Sequence, residues 1–310
     1  MLFWAVLVIS ALLATAAPPP VTQCDGVNCF VFLPPTYGAH DPEQVAAAAP
    51  AKLLKLQVDA HSNLGPNHAD CKAPTRLNAS DCAEQGLPCA SMGRSFFFSP
   101  SSEDNLAGPA SCSGSFIAND TVLTAGHCCM PLAQAWVSDV FFYLDYEDGH
   151  FSGAYAPTEM IVPERWSNFT DRRYDWCFMK MNGTAPKHLK TTWSFDPSRF
   201  SNGFSAYGWP ADDPYDGNSL YQAAGQCRGT SSVFPPPSID PCSQMPSDQA
   251  VMYMTCNTMQ DGGGPWYDPA VGIFGLNSAS IQAPGQPEIF ASPYFGTDFY
   301  QSCHRAGVCT

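Results

Sequence analysis

Charge is scarce in this chain, and positive charge scarcest. Charged residues occupy 14% of its 310 positions, with 14 Lys and Arg against 28 Asp and Glu, for a formal net charge of -14. Long amphipathic helices need charge on their outer faces, so this scarcity argues against a helical bundle and for a loop-rich, mostly β chain. A phosphate backbone would be repelled, which argues against nucleic acid as a partner. No block of like charge stands out, so the acidity reads as solubilising rather than as a binding tail. Beyond the first 17 residues no segment is apolar enough to span a membrane. No Cys-x-x-C pair occurs and the 14 cysteines are scattered, so neither zinc nor any other metal or cofactor is expected. No repeat of fixed period is visible.

What is present points to export. Met1 to Ala17 is an apolar run ending in Ala14-Thr15-Ala16-Ala17. Small residues there suit signal peptidase, and the run is short for a membrane span. No Lys or Arg precedes it, a departure from the usual pattern. The expectation is a cleaved signal peptide over 1–17 and a secreted, extracellular protein with no membrane span after cleavage; an N-terminal anchor is the alternative. In a secreted chain, 14 cysteines read as up to seven disulfides. Sequons at Asn78, Asn119, Asn168 and Asn182 agree with a glycosylated surface.

Residues 18–91 differ in character from the rest. They open on Pro18-Pro19-Pro20 and carry Cys24, Cys29, Cys71, Cys82 and Cys89. That odd number predicts at least one bridge to the later region if all pair. The one plausible helix there is Asp41 to Ala60, with Asp41 as N-cap, Pro42 in the first turn and an interruption at Pro50. The segment reads as a Cys-rich N-terminal extension packed on a main domain at 92–310, or as a propeptide. From Met92 onward, short strand-like stretches alternate with Gly, Pro and Asp punctuation, the pattern of a sandwich or barrel.

The sharpest segments are Cys112-Ser113-Gly114-Ser115-Phe116-Ile117 and Val122-Leu123-Thr124-Ala125-Gly126-His127-Cys128. Together they resemble the chymotrypsin-type (trypsin-like) serine proteases. The resemblance, over roughly residues 92–300, implies two six-stranded antiparallel β-barrels. It implies His127 as the catalytic histidine and a Cys112–Cys128 bridge. Tyr174-Asp175-Trp176-Cys177-Phe178 is similar to the strand bearing the family's orienting carboxylate, which nominates Asp175. The alternative reading of Asp175 is a turn residue capping a strand. If His127 and Asp175 meet, their neighbours Cys129 and Cys177 are close enough to bridge.

The nucleophile should follow, in a Gly-Asp-Ser-Gly-Gly-Pro motif. This chain has Gln260-Asp261-Gly262-Gly263-Gly264-Pro265, with Gly262 where the serine belongs and Gln260 in place of glycine. Tyr253-Met254-Thr255-Cys256-Asn257-Thr258 and Gly208-Trp209-Pro210 look like the bacterial glutamyl-endopeptidase (V8-like) branch. By resemblance the oxyanion hole falls at Gln260 and Gly262, where the glutamine is expected to turn a donor away. Gly275, Leu276 and Asn277 are the substrate-binding strand. Cys256 and Asn257 stand where an acidic specificity residue would, so a preference for Lys or Arg is unsupported. Cys227–Cys256 and Cys303–Cys309 are plausible further bridges.

Without a hydroxyl on residue 262, His127 has nothing to deprotonate and no acyl-enzyme forms. The leading reading is a secreted, catalytically inactive protease homologue. It binds a protein or peptide ligand, with an active protease or its substrate among the partners the resemblance implies. One alternative is an active endopeptidase with a displaced hydroxyl from Thr258 or Ser278. Another is a structural or adhesion glycoprotein. The remaining histidines lack ligand spacing.

Overall fold

The computed structural model describes the backbone of residues 21–25, 28–33 and 54–57, and residues 73–309 apart from 101–107, 132–134, 201–202, 211–213, 233, 237–238, 241, 243–245, 247–248, 256–260 and 283–287. The expected signal peptide lies outside the described residues.

Two curled, almost wholly antiparallel sheets dominate the described residues, the mostly β architecture that the resemblance implied. The first contains β1 (Val21–Asp25), β2 (Asn28–Leu33), β5 (Met92–Ser99), β6 (Gly108–Ala118), β7 (Thr121–Thr124), β8 (Ser138–Leu144), β9 (Gly153–Tyr155), β10 (Pro157–Pro163) and β11 (Cys177–Met181). Its order is β1-β2-β10-β11-β7-β6-β5-β8-β9. The second contains β3 (Leu54–Gln57), β4 (Thr75–Arg76), β12 (Phe204–Gly208), β13 (Tyr221–Ser231), β14 (Val251–Thr255), β15 (Pro265–Asp268), β16 (Gly272–Leu276), β17 (Ala279–Gln282) and β18 (Ile289–Pro293). It runs β16-β15-β12-β13-β14-β18-β17-β3, with β4 paired to β13.

Each sheet thus holds nine strands where six were expected. Part of the surplus comes from the N-terminal segment. β1 and β2 extend the first sheet through β10, while β3 and β4 join the second. The extension is woven into both sheets. The helix expected over Asp41–Ala60 lies mostly outside the described residues; at Leu54–Gln57 the chain instead forms β3, where an open edge of β17 takes the backbone hydrogen bonds. A helix does occur at Ala79–Glu84, capped by the Asn78 side chain on the Asp81 amide.

Strand alternation sorts the apolar residues. Phe96 and Phe97 are neighbours on β5 and both are buried, yet they face opposite sides. Phe97 joins the main core, where Phe116, Phe142 and Phe178 of the first sheet meet Met252, Trp266 and Phe274 of the second. Phe96 joins a smaller cluster with Met92, Tyr143, Tyr146, Tyr207 and Trp209. The C-terminal helix Thr297–Arg305 buries Phe299, Ser302 and Cys303 on one face, and Cys303–Cys309 closes its end.

Cys227 is bonded to Cys242, which corrects the expected Cys227–Cys256 pair. The chain doubles back along β13, with Thr230 and Asp240 exchanging backbone hydrogen bonds. Gly229 permits that return, since a Cβ there would lie 2.2 Å from the Asp240 carbonyl oxygen. Cys24, Cys29, Cys71 and Cys256 have side chains outside the described residues.

β5 and β8 approach closely at Gly93, where a Cβ would meet the Tyr143 carbonyl oxygen at 2.4 Å. Gly93→Ala is expected to lower stability by about 1–3 kcal/mol through overpacking, read by urea unfolding.

Candidate active site

His127 sits in the one-turn helix Gly126–Cys129 directly after β7. Two disulfides hold that turn. Cys112–Cys128 ties it back to β6, and Cys129–Cys177 ties it to β11. Gly126 lets the carboxylate come in underneath, because a Cβ there would lie 3.0 Å from Asp175 Oδ1 and from the Trp166 ring.

Asp175 is fully buried and both its oxygens are used. The His127 amide donates to Oδ1 at 2.8 Å. The ring Nδ1 lies 2.9 Å from Oδ2. A carboxylate only accepts, so Nδ1 carries the proton of that bond and Nε2 faces the other way. Two further donors converge on Oδ2: Arg172 Nη1 at 2.9 Å and the Ser278 hydroxyl. Burial alone would push this carboxyl up. His127 and Arg172 outweigh it, helped by the hydrogen bonds from His127 and Ser278, and hold it down at about 2.

The nucleophile loop is close-packed for a different reason at each glycine. Gly263 has φ +82°, and a Cβ there would strike Thr124 Oγ1 at 2.1 Å and the Ser113 carbonyl at 2.3 Å. At Gly264 the obstacle is the Tyr207 carbonyl at 2.0 Å. Backbone hydrogen bonds from Ser113 to Gly262, from Gly263 to Asn277 and from Asn277 to Gly264 pin the loop. At Gly262 the obstacle is the imidazole itself: a Cβ would stand 2.3 Å from His127 Nε2. The ring fills the volume of the missing side chain. Nε2 is buried there and makes no hydrogen bond.

Asp261, the residue before, is also fully buried. It accepts from the Ser113 hydroxyl and, at 3.0 Å, from the Trp209 amide. Gly208 makes room, since a Cβ there would lie 1.9 Å from Asp261 Oδ2. Burial pushes its carboxyl up to about 7 against those two hydrogen bonds and the more distant Arg94.

Gly275 and Leu276 pair in β16 with Trp266 and Pro265, and Leu276 and Asn277 are fully buried. Asn277 Oδ1 accepts from Trp266 Nε1 at 2.8 Å. Asn277 braces the glycine loop through its backbone hydrogen bonds with Gly263 and Gly264. Gln260, Cys256, Asn257 and Thr258 lie outside the described residues, and with them the expected peptide flip. Ser278, considered as a displaced nucleophile, spends its hydroxyl on Asp175. Arg172 had gone unnoticed. Its signal was the i, i+3 spacing to Asp175 across the 3-10 turn Arg172–Tyr174. Cys112, His127 and Cys128 bring their ligand atoms within 4.8 Å of one another. The two sulfurs are already bonded to each other, which leaves no thiolate for a metal.

The family model for trypsin matches residues 96–293. The chain belongs to the trypsin family. Its fold is similar to that of a thermostable serine protease, AL20, from an extremophilic microorganism. That pair is 23% identical with a TM-score of 0.56, covering 72% of this chain and 99% of that one. A Glu endopeptidase solved in complex with MPD is 19% identical with a TM-score of 0.56, covering 77% of this chain and 97% of that one. At such identities the likeness is one of fold. A curated protein of Bacillus subtilis (strain 168), described as an extracellular metalloprotease, is 26% identical over 117 residues. The match takes in 36% of this chain and 37% of that protein, so the chain spans little more than a third of this relative's length.

Among trypsin-family positions, the two buried carboxylates respond to pH in opposite directions. Asp175 has a depressed value, so its contribution is present above the ordinary carboxylate range and is lost as pH falls toward about 2. Arg172→Met removes its guanidinium partner. It is expected to cost about 3–5 kcal/mol at neutral pH and to move acid unfolding to higher pH, as urea titrations across pH would show. Asp261 has a raised value. The folded state keeps its proton where the unfolded chain has lost it, so stability falls as pH climbs from about 4 to about 7. Asp261→Asn preserves the acceptor and is expected to flatten that decline in the same titrations.

Proposed function

We propose that this chain is a secreted trypsin-family glycoprotein that binds an extended polypeptide segment without hydrolysing it. The observation that carries the reading is Gly262 opposite His127. The dyad of imidazole and carboxylate is assembled, yet the position its Nε2 faces has no side chain, and the ring stands in the space. Loss of the nucleophile in a protease of the same logic costs about 10^6-fold in turnover. Gly262 stands as the degenerate nucleophile position beside His127 and Asp175, and Gln260 as a second substitution in the oxyanion hole.

The relatives' descriptions as proteases set the ligand class for this reading: a polypeptide, from an active protease or from its substrate. Export is supported by the N-terminal apolar run and by five disulfides among the described residues. Asn78, Asn119, Asn168 and Asn182 are all exposed, as oligosaccharide acceptors must be. Among the described residues no helix is long and apolar enough to cross a membrane. The displaced-nucleophile reading loses Ser278 to Asp175.

The test is to expose the purified mature protein to a fluorophosphonate probe and to a mixed peptide library, with a peptide-N-glycosidase digest run alongside. No label, no cleavage above blank and a faster-running band after deglycosylation are expected. Labelling, or cleavage that His127→Ala abolishes, would overturn the inactive reading; unchanged mobility would remove the glycan.

A further inference from the structure

The second sheet ends on a strand that arrives from elsewhere in the chain. β3 is its last strand and, among the described strands, pairs with β17 alone. The pairing is parallel, Leu54 opposite Ala279 through Gln57 opposite Gln282. The other ladders between described strands are antiparallel. A parallel partner cannot be delivered by a tight hairpin. β3 comes instead from the N-terminal segment, far from β17 in sequence.

β17 begins at the site. Ser278, the residue before it, donates its hydroxyl to Asp175, the carboxylate that holds His127. The other side of β17 is taken by β18, with Ala279 opposite Ala291 and Ile281 opposite Ile289. Without β3, alternate residues of 279–282 would present unpaired N–H and C=O groups at that edge, starting three residues beyond Leu276 at the end of β16 and one residue beyond Ser278. Such an edge is a template for an extended peptide, whose main chain supplies the affinity.

One buried group on β17 has no hydrogen-bond partner. Ser280 is fully buried, in register with Lys55 on one side and Phe290 on the other, and its hydroxyl makes no hydrogen bond. An unsatisfied buried hydroxyl favours replacement by a strand that offers it a polar partner.

We propose that Leu54–Gln57 is a built-in occupant of the peptide-binding edge, a strap that pairs with β17 in cis and competes with an extended peptide from another chain. The proposal rests on the peptide-binding reading above. A tethered strand acts at an effective concentration on the order of millimolar, so a free peptide of equal intrinsic affinity is held off until the strap is weakened. The partner that fits is an extended segment bound through its main chain, with a polar side chain at the Ser280 register.

The test combines hydrogen exchange with peptide binding on the full mature chain. In the native protein the amides of residues 279–282 that face β3 are expected to be protected. In Lys55→Pro/Leu56→Pro, which removes two N–H groups from the strap, they are expected to exchange at least tenfold faster, while those of β7 and β11 stay unchanged. The probe is a synthetic peptide of residues 51–58, Ala-Lys-Leu-Leu-Lys-Leu-Gln-Val. It is expected to bind the variant at least tenfold more tightly than the native chain and to restore protection. Equal affinity for both proteins would overturn the strap. Should the variant lose protection in β7 and β11, the native chain decides: fast exchange at 279–282 overturns the proposal and slow exchange supports it. Hydrolysis is not read. A variant that binds and cuts the peptide sinks the inactive reading and leaves the strap; one that does neither, with unchanged exchange, sinks the strap alone.

Discussion

A carboxylate removed from water can stay ionised only if the protein replaces its hydration shell, and Asp175 receives that replacement from every side. The His127 amide and ring, the Arg172 guanidinium and the Ser278 hydroxyl all point at its two oxygens. These donors come from different parts of the fold. His127 follows β7 in the first sheet, and Ser278 immediately precedes β17 in the second. The two sheets are therefore joined at one charged atom group as well as through their shared apolar core. Arg172 changes the electrostatics of this node. With a permanent cation on Oδ2, the carboxylate has a charged partner that does not depend on the protonation of the imidazole. The dyad is thereby a structural element in its own right, and its retention beside Gly262 needs no catalytic explanation.

The run Gly262-Gly263-Gly264 shows how one residue type serves different constraints. Backbone oxygens forbid a side chain at the second and third positions. Those oxygens belong to β-sheet segments and cannot yield cheaply. At the first position the near neighbour is a side chain, the imidazole of His127. Gly263 and Gly264 are steric requirements of the loop, whereas Gly262 is an occupancy the loop would accept otherwise if the ring withdrew. The chemistry turns on the one glycine that packing against the backbone does not demand.

Much of the site was legible from short motifs. His127 with Cys112 and Cys128, and Asp175 with Cys177, lie in segments whose residue types are set by local turns and by adjacent strands, so a few positions suffice to mark them. Ser278 and Arg172 were missed as partners of Asp175 for a related reason. A serine before a strand is common and nothing nearby distinguishes Ser278, while the only mark of Arg172 is its i, i+3 spacing to Asp175, which many turns share. Gly275, Leu276 and Asn277 lie beside the glycine loop, with Leu276 and Asn277 buried and Asn277 accepting from Trp266.

The sequence by itself determined the class of fold, the residues at which the dyad is built and the absence of a hydroxyl at 262, since each is a matter of which side chain exists within a short motif. Tertiary structure alone decided that Cys227 meets Cys242, that Arg172 and Ser278 share the carboxylate, that the imidazole fills the vacant volume and that Leu54–Gln57 lies along β17. Those outcomes depend on strand register and on chain segments brought together from far apart. Main-chain hydrogen bonding, which dictates register, is available to almost any residue and so leaves little trace in the order of the amino acids.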